Sequence, residues 1–153
     1  MAKVHCVLLL GVVAAAFSVV SAGISDADKE TIKALLGPIL KECGKEHGVT
    51  EEDILAAKKT HDVDALDSCF YRCFFKKIGL IDDQGLYAVE TAKENHKKYI
   101  KDEEFLKKVD AVTDECSVIN EKEVSDGTEG CDRAKLLINC LKEHKDSINP
   151  ILE

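Results

Sequence analysis

The chain has 153 residues, of which 45% are hydrophobic and 33% are charged, with a net charge of −8 and seven cysteines. This length is typical of one domain with a hydrophobic core, and the hydrophobic share argues against a disordered chain. The acidic balance, with no basic block, argues against binding to nucleic acid or to an anionic membrane surface.

The first 22 residues have the features of a secretory signal peptide. Lys3 precedes an apolar stretch over residues 6–20, and Val20-Ser21-Ala22 places small residues where a signal peptidase inspects the chain. The stretch is shorter than the roughly 18–20 residues that span a bilayer, which disfavours the alternative of an uncleaved anchor. We therefore expect a secreted, extracellular chain without stable membrane insertion, which starts near Gly23 with six cysteines and a net charge of −9.

Beyond Gly23 the apolar residues recur at helical spacing, which predicts an all-α domain of about six helices over residues 23–153. The apolar stripe of the first helix consists of Ile32, Leu35, Leu36, Ile39, Leu40 and Cys43. We expect Gly37-Pro38 to kink or break this helix. Thr50 and the acidic residues 51–53 resemble a capping box at the start of a short second helix. A third helix is predicted over residues 65–77, capped by Gly79 and followed by a turn at residues 82–85.

Three further helices complete the predicted domain. One face of the fourth helix carries Val89, Ala92, His96 and Tyr99. The inner face of the fifth carries Phe105, Leu106, Val109, Val112 and Cys116. The sixth is predicted over residues 131–145, with Ala134, Leu137, Ile138 and Leu141 turned inward. We expect Asn149-Pro150 to prevent any continuation, so that residues 141–153 form the end of the last helix and an apolar tail.

The six cysteines after residue 22 follow the spacing Cys43-x25-Cys69-x3-Cys73-x42-Cys116-x14-Cys131-x8-Cys140. An even number after a secretory signal favours disulfides over a zinc site, which usually needs close C-x2–4-C pairs in a reducing compartment. Cys131 and Cys140 point to opposite sides of one helix, and Cys69 and Cys73 lie one turn apart, so neither pair is expected to bond. Ten of the fifteen possible pairings remain. Because Cys131 and Cys140 point to opposite sides, we expect the sixth helix to be a central element that is bonded to different neighbours on its two sides.

The signal peptide, the x3 and x8 spacings and six helices in about 130 residues resemble the insect odorant-binding proteins of the pheromone-binding and general odorant-binding family, six-cysteine type. The segment Cys73-Phe-Phe-Lys-Lys-Ile-Gly-Leu-Ile-Asp-Asp-Gln-Gly is also typical of that family. The resemblance covers the whole chain after residue 22 and implies a compact helical domain around an apolar cavity. It also implies three interlocked disulfides: Cys43–Cys73, Cys69–Cys131 and Cys116–Cys140.

No motif of an enzyme is present in the sequence. His-Glu-x-x-His, Gly-x-Ser-x-Gly and phosphate-binding glycine loops are all missing. If six cysteines pair, no thiol remains as a nucleophile, and the acidic residues lie at helix starts or beside lysines, as is typical of a solvated surface. We therefore expect no catalytic residue, no metal site and no cofactor.

Apolar cavities of helical domains bind small lipophilic ligands, and three disulfides allow such a cavity without loss of the fold. The residues expected to bind the ligand are Leu86, Val89, Tyr99, Phe105, Val109, Val112, Leu137, Ile138, Leu141, Ile148 and Ile151. The aromatic residues of the third helix are expected to form pure core instead, and core packing is the alternative for every residue in the set. His96 is either a structural histidine or a pH-sensitive switch, because imidazole titrates in the physiological range.

These observations predict a secreted carrier that binds small hydrophobic molecules reversibly and performs no chemistry. The resemblance implies odorants, pheromone-like compounds or lipids as ligands, an olfactory receptor as a further partner, and a monomer or weak homodimer. The alternative is a carrier of lipids or hormones in haemolymph or a glandular secretion. A saposin-like membrane-active protein is disfavoured by the cysteine spacing and acidic charge, and a helical signalling protein would need a large exposed apolar patch.

Overall fold

The computed structural model describes residues 24–152, with side chains described for residues 24–148. Seven α-helices follow one another: α1 Asp26–His47, α2 Glu51–Thr60, α3 Ser68–Lys77, α4 Val89–Tyr99, α5 Glu103–Cys116, α6 Cys131–Glu143 and α7 Lys145–Leu152. Two short 3₁₀ helices lie at Val63–Ala65 and Ser117–Glu121. Over the described residues there is no β-strand, only an isolated bridge between Ile81 and Tyr87. The predicted all-α fold is confirmed, whereas the predicted signal peptide over residues 1–22 lies outside the described residues.

Side chains next to the helices fix where the helices begin. At α2, the Thr50 hydroxyl accepts a hydrogen bond from the Asp53 amide (3.1 Å) and the Asp53 carboxylate accepts one from the Thr50 amide (2.9 Å). This is the predicted capping box, and its hydrogen bonds lower the pKa of Asp53. Asp67 and Asp102 cap α3 and α5 through their side chains, which accept hydrogen bonds from amides of the first turn. The start of α3 at Ser68 corrects the predicted start near residue 65, because Asp67 satisfies the first amides of α3 and thereby separates it from the preceding 3₁₀ helix.

The structure contains helix at both prolines where the sequence predicts a kink, a break or an end. Pro38 lies inside α1, which runs unbroken for 22 residues. A proline removes one backbone hydrogen bond, to the carbonyl four residues earlier, and Ala34 at that position is exposed to water. Likewise α7 runs through Pro150, where a tail was expected. The helical chain breaks instead at His144, whose φ and ψ of −97° and 14° end α6 at Glu143 rather than at residue 145.

Three disulfides tie the helices together. They join Cys43 to Cys73 (Cα–Cα 5.7 Å), Cys69 to Cys131 (4.5 Å) and Cys116 to Cys140 (5.9 Å). This is the pairing that the family resemblance implied. It bonds α3 to α1 and α6, and α6 to α3 and α5, so α6 has a different partner on each of its two sides. In the chain-entropy model each of these loops contributes about 3–4 kcal/mol.

The core lies where α3, α5 and α6 meet. The most extensive helix contact is between α3 and α6, while α1 packs on α3 and α4 packs on α5. The largest fully buried side chains are Phe70, Ile81, Phe105, Leu137, Cys43 and Cys116. On α3, Phe70, Tyr71 and Phe75 are buried. Tyr71 contacts the Phe70 ring edge to face and stacks on Phe75, and the partly buried Phe74 packs at a tilt against Phe75. The aromatic side chains of α3 therefore form core, as the sequence predicts.

Two turns meet at the start of α6 and hold it in place. Gly85 has a φ of +72°, and a side chain there would lie 2.8 Å from the Thr128 carbonyl oxygen, so only glycine fits this position. The Arg72 Nε donates a hydrogen bond to the Glu129 carbonyl (2.8 Å) and thereby links α3 to the second turn. The Asp126 carboxylate accepts hydrogen bonds from the first two amides of α6 and caps this helix.

Candidate ligand-binding core

The inner face of α5 is a continuous buried apolar surface. Phe105, Val109, Val112 and Cys116 recur every three or four residues and are between 0 and 4% exposed. The Asp102 cap sets where α5 begins, because its carboxylate accepts a hydrogen bond from the Phe105 amide (2.6 Å). Helix α5 contacts α4, α6 and α7, so it is the helix against which these three pack.

The neighbouring helix α6 supplies the opposite wall. Leu137 is fully buried, and Ile138 and Leu141 are partly buried against the same cluster. Ala134, also fully buried, has only a methyl group and so allows close packing at this level. Because disulfides hold α6 at both ends, these side chains keep their place even where packing is loose.

The short helix α7 covers one end of this arrangement. Its Ile148 is 4% exposed, and the helix packs on α5. At the junction of α6 and α7, the His144 Nε2 lies 3.3 Å from a carboxylate oxygen of Glu115 on α5. The predicted tail contact through Ile148 thus takes the form of a packed helix, while the side chain of Ile151 lies outside the described residues.

Most of the residues predicted to bind ligand come together in one hydrophobic cluster. The cluster contains Val89, Phe105, Val109, Val112, Leu137, Ile138, Leu141 and Ile148. Leu86 is 37% exposed in the turn before α4 and lies outside the cluster, as does the partly exposed Tyr99, whose ring is 5.1 Å from the Lys98 ammonium. On α4, the face toward the cluster is therefore formed by Val89 and Ala92.

Four further buried residues lie between the helices. Ile81, Tyr87, Ile100 and Ile119 are 2 to 5% exposed and belong to the same core. They lie outside the α-helices, so no helical periodicity marks them. A signal was present for two of them, because Ile81 and Tyr87 flank the predicted turn and pair across it.

Few polar side chains are buried in the described part of the chain. The guanidinium of Arg133 is buried and donates hydrogen bonds to the carbonyls of Ile119 and Lys122, which fixes the 3₁₀ helix after α5. The Thr113 hydroxyl, also buried, donates to the Val109 carbonyl (3.0 Å). Burial raises the pKa of the Tyr87 phenol, and the hydrogen bond with Thr113 partly offsets this rise. Apart from the Arg133 guanidinium, the buried side chains are apolar or carry a neutral hydroxyl group, which suits an uncharged lipophilic ligand.

Comparison with known proteins identifies the family. A family model described as the PBP/GOBP family matches residues 25–144. The chain belongs to the PBP/GOBP family. A search of the solved structures found the odorant-binding protein dmelOBP28a from Drosophila melanogaster, which is 26% identical with a TM-score of 0.57. That match covers 78% of this chain and 95% of the Drosophila protein. A search of curated proteins found no match.

The PBP/GOBP match includes all six disulfide cysteines and all of the helices α1 to α6. The PBP/GOBP family match and the Drosophila odorant-binding protein both support the interpretation of this chain as a carrier of small ligands. No helix in the described residues is long and apolar enough to cross a membrane.

His96 on α4 is paired with a side chain of α5. The His96 Nδ1 lies 3.0 Å from a carboxylate oxygen of Asp110, so this contact joins α4 to α5. The two side chains are 18% and 24% exposed. His96 therefore faces a carboxylate on the neighbouring helix. A switch at His96 stays a prediction, which ligand affinities at pH 7 and pH 5 in the intact chain and in His96→Phe would test.

Potential metal ligands gather at three places in the described structure, and each place includes a disulfide-bonded cysteine. One of them combines Cys116, Cys140 and His144. A sulfur that is bonded to another sulfur cannot act as a thiolate ligand, so these groups lose their strongest donors. Their arrangement follows from the disulfide framework.

Proposed function

We propose that this chain is a secreted carrier that binds small hydrophobic molecules reversibly, namely odorants or pheromone-like compounds. It would transport them through extracellular fluid to an olfactory receptor, as a monomer or weak homodimer. The observation that carries this proposal is the convergence of apolar faces from α4, α5, α6 and α7 within a disulfide-bonded frame of the PBP/GOBP family.

The disulfide frame gives a physical reason for reversible binding. Three cross-links restrict the unfolded chain, so the stability of the fold depends less on a tightly packed interior. Val89, Ile138 and Leu141 are only partly buried at the edge of the cluster. A ligand that enters there would bury its own apolar surface and that of these three residues. Each Å² of apolar surface removed from water contributes about 25 cal/mol to the free energy of binding.

Secretion is part of the proposal. Residues 1–22 would be cleaved as a signal peptide, and the chain would then pass through the oxidising compartment in which disulfides form. The alternative role, a carrier of lipids or hormones in haemolymph or a glandular secretion, uses the same core. Expression in antennae or in a gland would separate the two roles.

Displacement of an environment-sensitive hydrophobic dye tests the proposed binding. Alcohols, aldehydes or esters of moderate chain length should displace the dye at micromolar concentration, which corresponds to about 8 kcal/mol. Leu141→Lys places a charge at the partly buried edge of the cluster and should abolish displacement, because an unpaired charge is costly in an apolar site. Leu55→Lys is the matched control, since Leu55 is 58% exposed on α2.

Circular dichroism on each variant establishes that it is folded before its affinity is compared. If folded Leu141→Lys binds as the unchanged chain does, the ligand site lies elsewhere. If no compound of these classes displaces the dye from the unchanged chain, the carrier function itself is refuted.

A further inference from the structure

The Cys116–Cys140 disulfide lies beside a histidine. An imidazole nitrogen of His144 and the two sulfur atoms are all within 4.8 Å of one another. The His144 Nε2 also lies 3.3 Å from a carboxylate oxygen of Glu115, the residue before Cys116. This ion pair and the disulfide both join the end of α6 to the end of α5. The disulfide therefore has an imidazole beside it, which can carry a positive charge and donate a proton.

The disulfides differ in whether a reagent can reach a sulfur atom. Cys116 is fully buried, but its partner Cys140 is partly exposed. In contrast, Cys43 and Cys73 are 0 and 5% exposed, so both sulfurs of that bond are shielded. His47 lies within 4.8 Å of the Cys73 sulfur, but burial of the bond prevents attack on it. An adjacent histidine is therefore useful only at the disulfide that has an exposed side.

The third disulfide has a partly exposed sulfur but the opposite electrostatic environment. Cys69 is partly exposed, while its partner Cys131 is 8% exposed. Carboxylate oxygens of Asp126 and Glu129 lie within 4.8 Å of the Cys131 sulfur. Negative charges at this distance oppose the formation of a thiolate, whereas a neighbouring imidazolium favours it.

Of the three disulfides, Cys116–Cys140 alone combines a partly exposed sulfur with a neighbouring imidazole. We propose that this bond is a site of thiol–disulfide exchange, at which a small thiol or dithiol opens the link between α5 and α6 and thereby releases the bound ligand. The release of ligand rests on the proposed carrier function, whereas the exchange does not.

The exchange follows the ordinary chemistry of disulfides. A thiolate of the reductant attacks the exposed Cys140 sulfur, the bond between the two protein sulfurs breaks, and Cys116 leaves with the electron pair. The imidazolium of His144 gives its proton to the departing Cys116 thiolate. A second reductant thiolate then attacks the reductant sulfur bonded to Cys140, and Cys140 leaves and takes up a proton from water. The two protein sulfurs are reduced, and the two reductant thiols are oxidised to a disulfide.

Opening this bond separates two walls of the candidate ligand-binding core. Leu137 and Leu141 lie within one turn of Cys140 on α6. On α5, Val112 lies about one turn before Cys116. The disulfide is the covalent link between these two apolar faces, and α7 follows α6 directly and packs on α5. The other two disulfides stay closed, so the helices persist while the ligand site loosens.

Partial reduction followed by peptide mapping tests the exchange site. The oxidised chain is treated with dithiothreitol under native conditions, and free thiols are trapped with iodoacetamide at intervals. Cys116 and Cys140 should be alkylated first, about tenfold faster than the other four cysteines. His144→Gln should slow this step about three- to tenfold, because a positive charge within 4.8 Å favours a thiolate by about fourfold even in bulk water. His47→Gln is the matched control and should leave the rate unchanged.

Dye displacement by octanol tests the release of ligand. Binding of octanol should be lost once Cys116 and Cys140 are alkylated, while circular dichroism still shows the helices. The double variant Cys116→Ala, Cys140→Ala lacks the bond without carrying alkyl groups and should show the same loss.

Reduction of another disulfide first, or an unchanged rate in His144→Gln, would overturn the proposal. Unchanged octanol affinity in both the alkylated chain and the double variant would overturn it as well and leave the carrier function intact. If the oxidised chain itself binds no octanol, the carrier function fails, and the order of reduction still decides whether thiols exchange at this site.

Discussion

Leu137 on α6 is fully buried at the centre of the candidate ligand-binding core, so its truncation has two separable consequences. Leu137→Ala removes three carbon atoms and leaves a cavity. Because no part of the side chain is exposed, the full transfer free energy is lost, and the free energy of unfolding should fall by about 3–4 kcal/mol. For a domain of about 130 residues this corresponds to a fall of roughly 10–15 °C in Tm, measured by circular dichroism under non-reducing conditions.

The second consequence concerns the ligand. If Leu137 lines the site, the new space admits a longer chain, so the alcohol that binds most tightly should be two or three carbons longer than for the unchanged chain. Saturation at a hundred times Kd should restore about 2.7 kcal/mol of the lost stability. Leu66→Ala is the matched control, since Leu66 is 8% exposed next to the cap of α3 and should lose about 2–3 kcal/mol with no change in chain-length preference.

Thermal stability and chain-length preference together decide whether Leu137 contacts the ligand. If Leu137→Ala loses the expected stability and still prefers the same chain length as the unchanged chain, then Leu137 is ordinary core and does not contact the ligand. The same shift in chain-length preference in Leu66→Ala would show that the effect comes from general loosening of the fold.

Three further predictions follow from the geometry. Thiol titration of the denatured, non-reduced protein should read near zero, and peptide mapping should link Cys69 to Cys131; any other partner of Cys69 would contradict the assigned pairing. Burial, and after it the nearby carboxylates, raise the pKa of Tyr71 to about 12. The free energy of unfolding should therefore fall as pH rises from about 10 to about 12. In a pH titration followed by absorbance at about 295 nm, Tyr71→Phe should lose the tyrosine ionisation that occurs at the highest pH. A chain that ends at Ser147 lacks the buried Ile148 and should bind ligand at least tenfold more weakly by dye displacement, whereas equal affinity would mean that α7 does not close the site.

Helical periodicity was sufficient to predict the buried faces of α5 and α6, whereas on α4 only Val89 and Ala92 of the predicted face belong to the cluster. Val109 and Val112 are buried where the spacing placed them, and the Thr50 capping box starts α2 as expected. The cysteines alone left ten pairings, because spacing excludes bonds within a helix but does not reveal which helices are neighbours. The family resemblance supplied that missing information.

The parts that the sequence did not predict depend on tertiary contacts. Ile119 and Tyr87 lie in connections without periodicity, and the Tyr87 amide donates a hydrogen bond to the Asn120 side chain, 33 residues further along the chain. Leu35 belongs to a regular apolar stripe and is nevertheless 43% exposed, whereas Cys43, two turns later, is fully buried where its disulfide joins α1 to α3. An apolar stripe is buried only where another element lies against it, and a single sequence does not specify that element.

Methyl resonances give the most direct test of the claim that the ligand lies among α4, α5, α6 and α7. In a titration with octanol followed by carbon–proton correlation spectra, the assigned methyl signals of Val109, Val112 and Leu137 should shift together. They should saturate at one ligand per chain in the micromolar range, while the signals of the exposed Leu35 and Leu55 stay in place. Saturable binding that shifts only Leu35 or Leu55, and leaves the three buried residues unchanged, would contradict the account.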